Sequence, residues 1–331
     1  MRRMRILGLR NFIYVLPLTA FLMVLMCFLW LQNHGPVKRA EMKYPSEQQE
    51  LIQVLRRSTM PDRTVILTMV DESHAKPGSM LEVLLQSFKT GQGTQRLLNH
   101  LVIITMDPQA FEYCRFLHPH CIHPSTFEHY FATKRQSLQI PDHNVFSWKR
   151  NNVLIEVIEL GYNIIFTDTD VLWLKSPLQN FHPIHELSIS CNFSSNEERA
   201  YSIQEGGIFF MKANAIALEF LKHWKLSKIL YPTTNVEESL CATILHNEDL
   251  VEMYGFRVHH VDTDHFGGFC QLNNDILEKA YTIHANCCDD LTSKVHDLRI
   301  VLDDWFRFRE HVKNNNATEK MALRWPQKCT G

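Results

Sequence analysis

No charge of one sign dominates this chain. Its 34 Lys and Arg stand against 36 Asp and Glu, a net charge of −2, so nothing in the overall balance calls for nucleic acid as a partner. Cysteine is also scarce: nine in 331 residues are too few to hold a disulfide scaffold together. One of them, Cys27, falls inside a hydrophobic N-terminal segment. Cys114 and Cys121, in C-R-F-L-H-P-H-C, are spaced to close a small loop, while the pairing of the others is not readable. Internal repeats and low-complexity tracts are missing, which excludes solenoid and array architectures. What remains is 45% hydrophobic and 21% charged, the balance of a globular protein with a full core. The length permits one large domain or two ordinary ones. Histidine is plentiful at 18 residues, most of which read as surface or core positions.

Residues 1–11 carry Arg2, Arg3, Arg5 and Arg10 and no acid. Phe12 to Leu31 follows without a charge, about 20 residues and long enough to cross a bilayer as a helix. The run closes on Phe28-Leu29-Trp30-Leu31 with no A-x-A-like cleavage step, so it reads as a signal anchor; a cleaved signal is the alternative. The arginines before it keep the N-terminus cytosolic and place the body on the luminal side. Residues 32–61 are polar and read as a stem, with a helix over Glu47–Arg57. The sequons at Asn192 and Asn316 are compatible with a luminal body spanning 62–331.

Within that body, apolar β-type runs alternate with helical periodicity. Thr64–Val70 ends at Asp71-Glu72, and Leu101–Met106 ends at Asp107. A helix with Val153, Leu154, Val157 and Ile158 on one face stops at Gly161, and Ile164–Phe166 is a third strand. Further strands are expected at Leu187–Cys191 and Glu205–Met211. Helices are expected over 213–226, Ser239–Leu245 and Asp297–Phe308. This alternation predicts an α/β sandwich with a largely parallel central sheet.

The chemistry concentrates at Asn163–Pro177, N-I-I-F-T-D-T-D-V-L-W-L-K-S-P. Asp168 and Asp170 stand one residue apart at a strand's carboxyl end, between two apolar runs. Carboxylates this close repel and raise each other's pKa unless a cation separates them. A hard divalent ion shared with a substrate's phosphate oxygens supplies that cation, and strand carboxyl ends are where α/β sheets bind ligands. The plain alternative is a solvated turn.

Seven stretches make the pattern more specific: V-I-L-T-M-V-D-E, L-V-I-I-T-M-D, C-R-F-L-H-P-H-C, I-I-F-T-D-T-D-V-L-W-L, E-G-G-I-F-F-M-K, F-G-G-F-C and H-A-N-C-C. In that order, across Val65 to Arg309, they resemble the plant nucleotide-diphospho-sugar transferase family, which includes cell-wall xylosyl- and arabinosyltransferases. The resemblance implies a GT-A Rossmann-like fold behind a single N-terminal transmembrane helix and a Golgi type II topology. It also implies a UDP-sugar donor, Mn²⁺ (or Mg²⁺) as cofactor, and transfer with retention to a polysaccharide or glycoprotein acceptor. Other Golgi glycosyltransferases are possible partners.

Taken residue by residue, the resemblance gives Asp168 and Asp170 the metal and catalytic roles, and makes His284 the third ligand; an ordinary strand-end histidine is the alternative there. Lys149 and Arg150, a helix's length before the acidic pair, are placed to reach the diphosphate or an acidic acceptor, or else form a solvated helix end. Thr68 and Asp71 fall where uracil or ribose docks. Gly206 and Gly207 permit close backbone approach to a ligand, or a bulge. Gly267 and Gly268, between Phe266 and Phe269, resemble a loop closing over the sugar. The chain departs from its relatives at Glu237-Glu238-Ser239, where an Asp-Gln-Asp run is usual, and at Glu205, where Asn is usual. Glu237 and Glu238 supply carboxylates able to stabilise an oxocarbenium-like centre, but the change puts donor identity in doubt.

Two rivals stand beside this reading. D-x-D-x-V after an apolar strand also fits a haloacid-dehalogenase-like phosphatase, with Asp289-Asp290 or Asp303-Asp304 as its downstream acids. The altered Glu237-Glu238-Ser239 fits a non-catalytic Golgi partner of another transferase.

Overall fold

The computed structural model describes residues 23–26, 46–123, 145–194, 202–230, 240–241, 248–272, 275–313 and 323–329. Two compact units divide the chain, Met1–Pro45 and Ser46–Gly331. Of the first, residues 23–26 are described and are helical, so most of the expected span 12–31 lies outside the described residues. Among the described residues no helix is long and apolar enough to cross a membrane.

The second unit begins earlier than the boundary read at residue 62. Helix α1, Ser46–Ser58, buries Leu51 and Leu55 in the main core, so the stretch assigned to the stem is in part body. The polar composition there belongs to the helix's exposed side, which masked the apolar stripe.

A seven-stranded sheet organises this unit. Its strands are β1 Thr64–Val70, β2 Leu101–Thr105, β3 Cys121–Ile122 and β4 Asn163–Thr167. A second small sheet takes β5 Val171–Trp173. Then β6 Leu187–Ser194, β7 Ser202–Met211 and β8 Val258–His260 complete the large sheet. Its order is β3-β2-β1-β4-β7-β6-β8. Neighbours are parallel except where β7 runs antiparallel to both β4 and β6, so the sheet is mostly parallel, as expected.

All seven residues of β1 are buried, because both sheet faces are covered, and its sequence is accordingly apolar without alternation. Val65, Leu67 and Met69 face one core, shared with α1, α4 (Val145–Glu159) and α5 (Ala215–Leu230). Ile66 and Val70 face the other, shared with α2 (Met80–Thr90) and α3 (Pro108–Leu117). Helix α3 starts cleanly: Pro108 occupies its first turn and the Asp107 carboxylate caps the Ala110 N–H at 2.8 Å.

The small sheet joins β5 to β9 (Phe266–Gly268) and β10 (Thr282–His284) in the order β5-β10-β9. Helix α6, Leu291–Lys313, longer at both ends than the expected 297–308, covers it. Leu172, Leu174 and Ile283 meet Leu298, Val301 and Trp305 in a third core. Four disulfides tie the described chain: Cys114–Cys121, as the spacing suggested, with Cys191–Cys241, Cys270–Cys287 and Cys288–Cys329.

Candidate active site

The acidic turn is the crossing between the two sheets. β4 ends at Thr167 and β5 starts at Val171, leaving Asp168-Thr169-Asp170 to span the gap. Three contacts fix it. The Trp173 indole N–H donates to Thr167 Oγ1 at 3.1 Å across the base of the turn. The Asp168 N–H donates to the Gly207 carbonyl at 2.8 Å, and the Ala285 N–H donates to the Asp170 carbonyl at 2.9 Å. The turn is thereby pinned to β7 on one side and to the end of β10 on the other.

That second tie delivers His284. β10 lies antiparallel to β5 with His284 opposite Val171, and His284 Nε2 stands 3.2 Å from Asp170 Oδ1, both side chains being only 14% and 13% exposed. Asp168, Asp170 and His284 each offer a ligand atom, all within 4.8 Å of one another. An octahedral ion with bonds of about 2.1 Å spaces its ligands by roughly 3 to 4 Å. The three groups therefore fit a hard or borderline divalent ion with small adjustments, and two carboxylates with one imidazole suit Mn²⁺ or Mg²⁺ in a mixed shell.

A fourth group arrives from α6. Lys294 Nζ donates to Asp170 Oδ2 at 2.7 Å. Burial acts to raise the Asp170 carboxyl, but the His284 imidazole and the Lys294 ammonium together outweigh it and hold that carboxyl well below the usual carboxylate range. Asp170 is thus ionised at any physiological pH. Sequence reasoning passed over Lys294, although a signal was there. Leu291, Lys294, Leu298, Val301 and Trp305 form one helical stripe, and Lys294 is its only charge.

Gly207 explains how the pieces approach so closely. It adopts φ +68°, and a Cβ there would lie 2.5 Å from Val171 Cγ2 and 2.9 Å from His284 Cγ. Its role is to let β7 pass against the His284 ring; Gly206 precedes it in the same strand. Gly267 and Gly268 are not a loop. They form β9, with Gly268 opposite His284, because a Cβ on Gly268 would sit 2.3 Å from Asn286 Oδ1 and 2.5 Å from the His284 carbonyl. The resemblance suggested a loop closing over the sugar; close packing against the histidine's strand is what requires the glycines.

The other candidates divide. Arg150, Asp168 and Gly207 line one small cavity beside the turn, with the Arg150 guanidinium 5.6 Å from the Phe166 ring centre and 5.5 Å from that of Trp224. Lys149 Nζ donates to the Met106 carbonyl at 3.1 Å, just beyond β2. Thr68 is fully buried in β1, its Oγ1 without a hydrogen-bond partner among the described residues. Asp71 caps the short helix Glu72–Ala75, accepting from the His74 N–H. Burial acts to raise its carboxyl, but hydrogen bonds from His74 and Ser73 prevail and hold it well below the usual range. Glu237, Glu238 and Asn316 lie outside the described residues, as does the side chain of Asn192. The acids a phosphatase would need are engaged elsewhere: Asp290 accepts from Ser293, and Asp303 and Asp304 pair with Arg324.

A model of the nucleotide-diphospho-sugar transferase family matches residues 96–298. The chain belongs to that family. Two uncharacterized Arabidopsis thaliana proteins are similar over most of its length. One is 30% identical over 288 residues, 86% of this chain and 75% of its own; the other is 31% identical over 258 residues, 76% and 77%. A stretch of 41 residues is 39% identical to the A. thaliana UDP-D-xylose:L-fucose alpha-1,3-D-xylosyltransferase, covering 12% of this chain and 11% of that protein. Among solved structures, mouse xyloside xylosyltransferase 1 in its apo form aligns with 68% of this chain and 98% of its own, at a TM-score of 0.41 and 11% identity.

Proposed function

We propose that this chain is a retaining glycosyltransferase that moves a sugar, a pentose or galactose, from a UDP-sugar to a cell-wall polysaccharide or glycoprotein. The observation that carries this reading is the convergence of Asp168, Asp170, His284 and Lys294 at the end of β4 in a chain of this family. Asp168, Asp170 and His284 would hold a divalent ion, Mn²⁺ or Mg²⁺, which supplies Lewis-acid stabilisation of the departing diphosphate. Two carboxylates and one ammonium give these side chains a net charge near −1; one divalent ion would bring it to about +1, suited to an anion.

The chain's own residues then have defined work. Asp168 and Asp170 are held by backbone ties before any ligand arrives, so little reorganisation accompanies binding. Lys294 pairs with Asp170 in the free protein and turns its ammonium to a phosphate oxygen once that carboxylate is engaged. Arg150, which shares a small cavity with Asp168, is taken as a further contact for the donor. Retention is accounted for if the leaving phosphate takes the acceptor's proton on the same face, so no separate base is needed. We place the protein in the Golgi membrane as a type II protein anchored through residues 12–31. Four disulfides in the body favour an oxidising lumen.

Screening UDP-sugars for hydrolysis or transfer by the full chain, with Mn²⁺ and with EDTA, tests the reading. One UDP-sugar is expected to be turned over only with metal, and Asp170→Asn should lower the rate by about 10²–10³-fold. If UDP binds neither with nor without Mn²⁺ in calorimetry, the reading fails and a non-catalytic partner of another transferase takes its place.

A further inference from the structure

One face of α6 lies open along much of its length. Thr292, His296, Arg299, Asp303 and Phe306 recur at helical spacing and line two cavities, of about 500 and 600 Å³, that share Arg299 and Asp303. The two therefore form one groove. At about 1.5 Å per residue, Thr292 to Phe306 spans roughly 21 Å. The Arg299 guanidinium donates to the Gly78 carbonyl at 2.9 Å, and Arg309 donates to the Thr90 carbonyl at the end of α2. These two staples hold α6 against its neighbours, so the shape of the groove exists before any ligand arrives.

Its chemistry is cationic. Among the lining residues, Arg299, Arg324 and Lys328 stand against a single acid, Asp303, and that acid already pairs with Arg307 at 2.8 Å and Arg324 at 2.5 Å. Arg324 is shared with the buried Asp304, so Arg299 and Lys328 are the two cations left to meet a ligand. The Arg299 bond to Gly78 goes to a neutral carbonyl and cancels none of its charge. Phe306, 57% exposed, closes the far end with an open aromatic ring. The near end lies beside the metal group. The first turn of α6 also carries Lys294, 2.7 Å from Asp170, and Gly78 follows the carboxyl end of β1 as the acidic turn follows that of β4.

We propose that this groove seats the acceptor, and that the acceptor is an oligosaccharide bearing carboxylates, a chain of uronate sugars. The role of acceptor rests on the transferase reading; the binding itself does not. A guanidinium fork meets a carboxylate through two parallel hydrogen bonds, and an exposed aromatic face packs on the C–H face of a sugar ring. A site of this length suits several sugars in a row rather than one. An acidic peptide would use the same cations, but peptides held in grooves are anchored through a sheet edge or through apolar pockets. Among the described residues the lining offers neither. Contacts along α6 steady the chain end beside Lys294, and remote contacts of that kind position the reacting hydroxyl.

The test follows the fluorescence anisotropy of labelled oligogalacturonate mixed with the full-length chain in EDTA, so that no ion bridges the two. Its carboxyl-reduced neutral counterpart and an acidic peptide of equal charge are run beside it. Wild type should bind the oligogalacturonate at least about tenfold more tightly than either. Arg299→Gln and Lys328→Gln should each weaken that binding about three- to tenfold, and Phe306→Ala several-fold, with UDP and Mn²⁺ binding unchanged in calorimetry. No binding, equal affinity for the reduced chain, or no loss in the variants overturns the proposal. Equal or tighter binding of the peptide also overturns it and makes the groove a protein-docking surface. Oligogalacturonate binding without any UDP binding supports the groove and sinks the transferase reading, whereas UDP binding alone does the reverse. Should Arg299→Gln fail to fold, Lys328→Gln, at an exposed position, decides on the same criteria.

Discussion

The two sheets of this molecule are held in different ways. The large sheet rests on apolar burial: β1 is covered on both faces, and its two cores take side chains from α1, α2, α4 and α5. At roughly 1.5–3 kcal/mol for each fully buried aliphatic side chain, that burial is its main support, and Cys114–Cys121 and Cys191–Cys241 add to it at β3 and β6. The small sheet has strands of only three residues, too short for its ladder to count for much. It leans on the third core beneath α6 and adds Cys270–Cys287, Cys288–Cys329 and buried charge. Asp297, 1% exposed, accepts the N–H groups of Gln327, Lys328 and Cys329 at 3.1, 2.9 and 2.7 Å. Arg324 binds Asp304 and Asp303. Asp168 is supplied from the end of the large sheet's β4, whereas His284 and Lys294 come from the small sheet and its helix. The lesson is that the half with the shortest strands carries two of the four site groups, and a core of its own with covalent and ionic ties fixes their positions.

The largest effect should come from cutting the link at its centre. Lys294→Met removes the cation that competes for Asp170 and that would meet the diphosphate. Calorimetry should show Mn²⁺ bound more tightly and UDP bound about 10²-fold more weakly, a pair of opposite signs that general unfolding cannot produce. If both affinities fall together, Lys294 is only a structural partner of Asp170.

Next comes Gly207→Ala, which attacks the seam between the sheets. The new Cβ meets Val171 Cγ2 and His284 Cγ at φ +68°, so a loss of about 2–4 kcal/mol is expected, with Mn²⁺ affinity falling about tenfold. Gly78, at φ +76° with nothing near its Cβ position, is the control: Ala there should cost roughly 1 kcal/mol and leave metal binding alone. Denaturant melts and metal titrations separate the two.

The comparison is sharpened by opening one tie. Cys288→Ser/Cys329→Ser should cost about 2–4 kcal/mol and weaken metal binding several-fold. Hydrogen exchange should show the loss of protection confined to β9, β10 and α6, with β1 and β2 unchanged. A uniform loss across both sheets would mean that the two regions unfold as one and that their different construction has no consequence for local stability.

How far these features were legible in the chain follows the same division. Strands β1, β2 and β4 were readable because a buried parallel strand is written as a continuous apolar run; Asp168 and Asp170 stood out as a compact motif, while His284 was named only through the family resemblance. The small sheet was hidden. Val171–Trp173 and Phe266–Gly268 are too short for periodicity, and the glycines that let β9 touch His284 looked like a turn. β7 was located, but its reversed direction was not, since antiparallel insertion leaves no mark in an apolar run. Lys294 required knowing which face of α6 is buried. Disulfide partners beyond Cys114–Cys121 depend on folds 17 to 50 residues apart, which no spacing rule reaches. Residues of α1 were assigned to the stem because a helix that buries only one narrow stripe is mostly polar.

The smallest effect tests the large sheet far from the metal group. Glu186, 1% exposed, is held by the Arg257 side chain at 3.0 and 3.1 Å and by the Arg257 N–H at 2.9 Å. The Arg257 hydrogen bonds outweigh the burial that opposes them and lower the Glu186 carboxyl from 4.5 to about 2. A carboxyl depressed in the folded state contributes its stability fully above 4.5 and loses it as the pH falls from there toward 2. Glu186→Gln should therefore flatten the acid limb of the stability curve in that window, and Glu186→Ala should lower the denaturation midpoint modestly at pH 7, because the Arg257 guanidinium it releases is exposed to water. UDP and Mn²⁺ binding should be unchanged at pH 7 in both variants, because no tie from Glu186 reaches the small sheet. An acid limb identical in wild type and Glu186→Gln would show that the pair is worth little, and would move the pH sensitivity of the fold to Asp297 beside the small sheet.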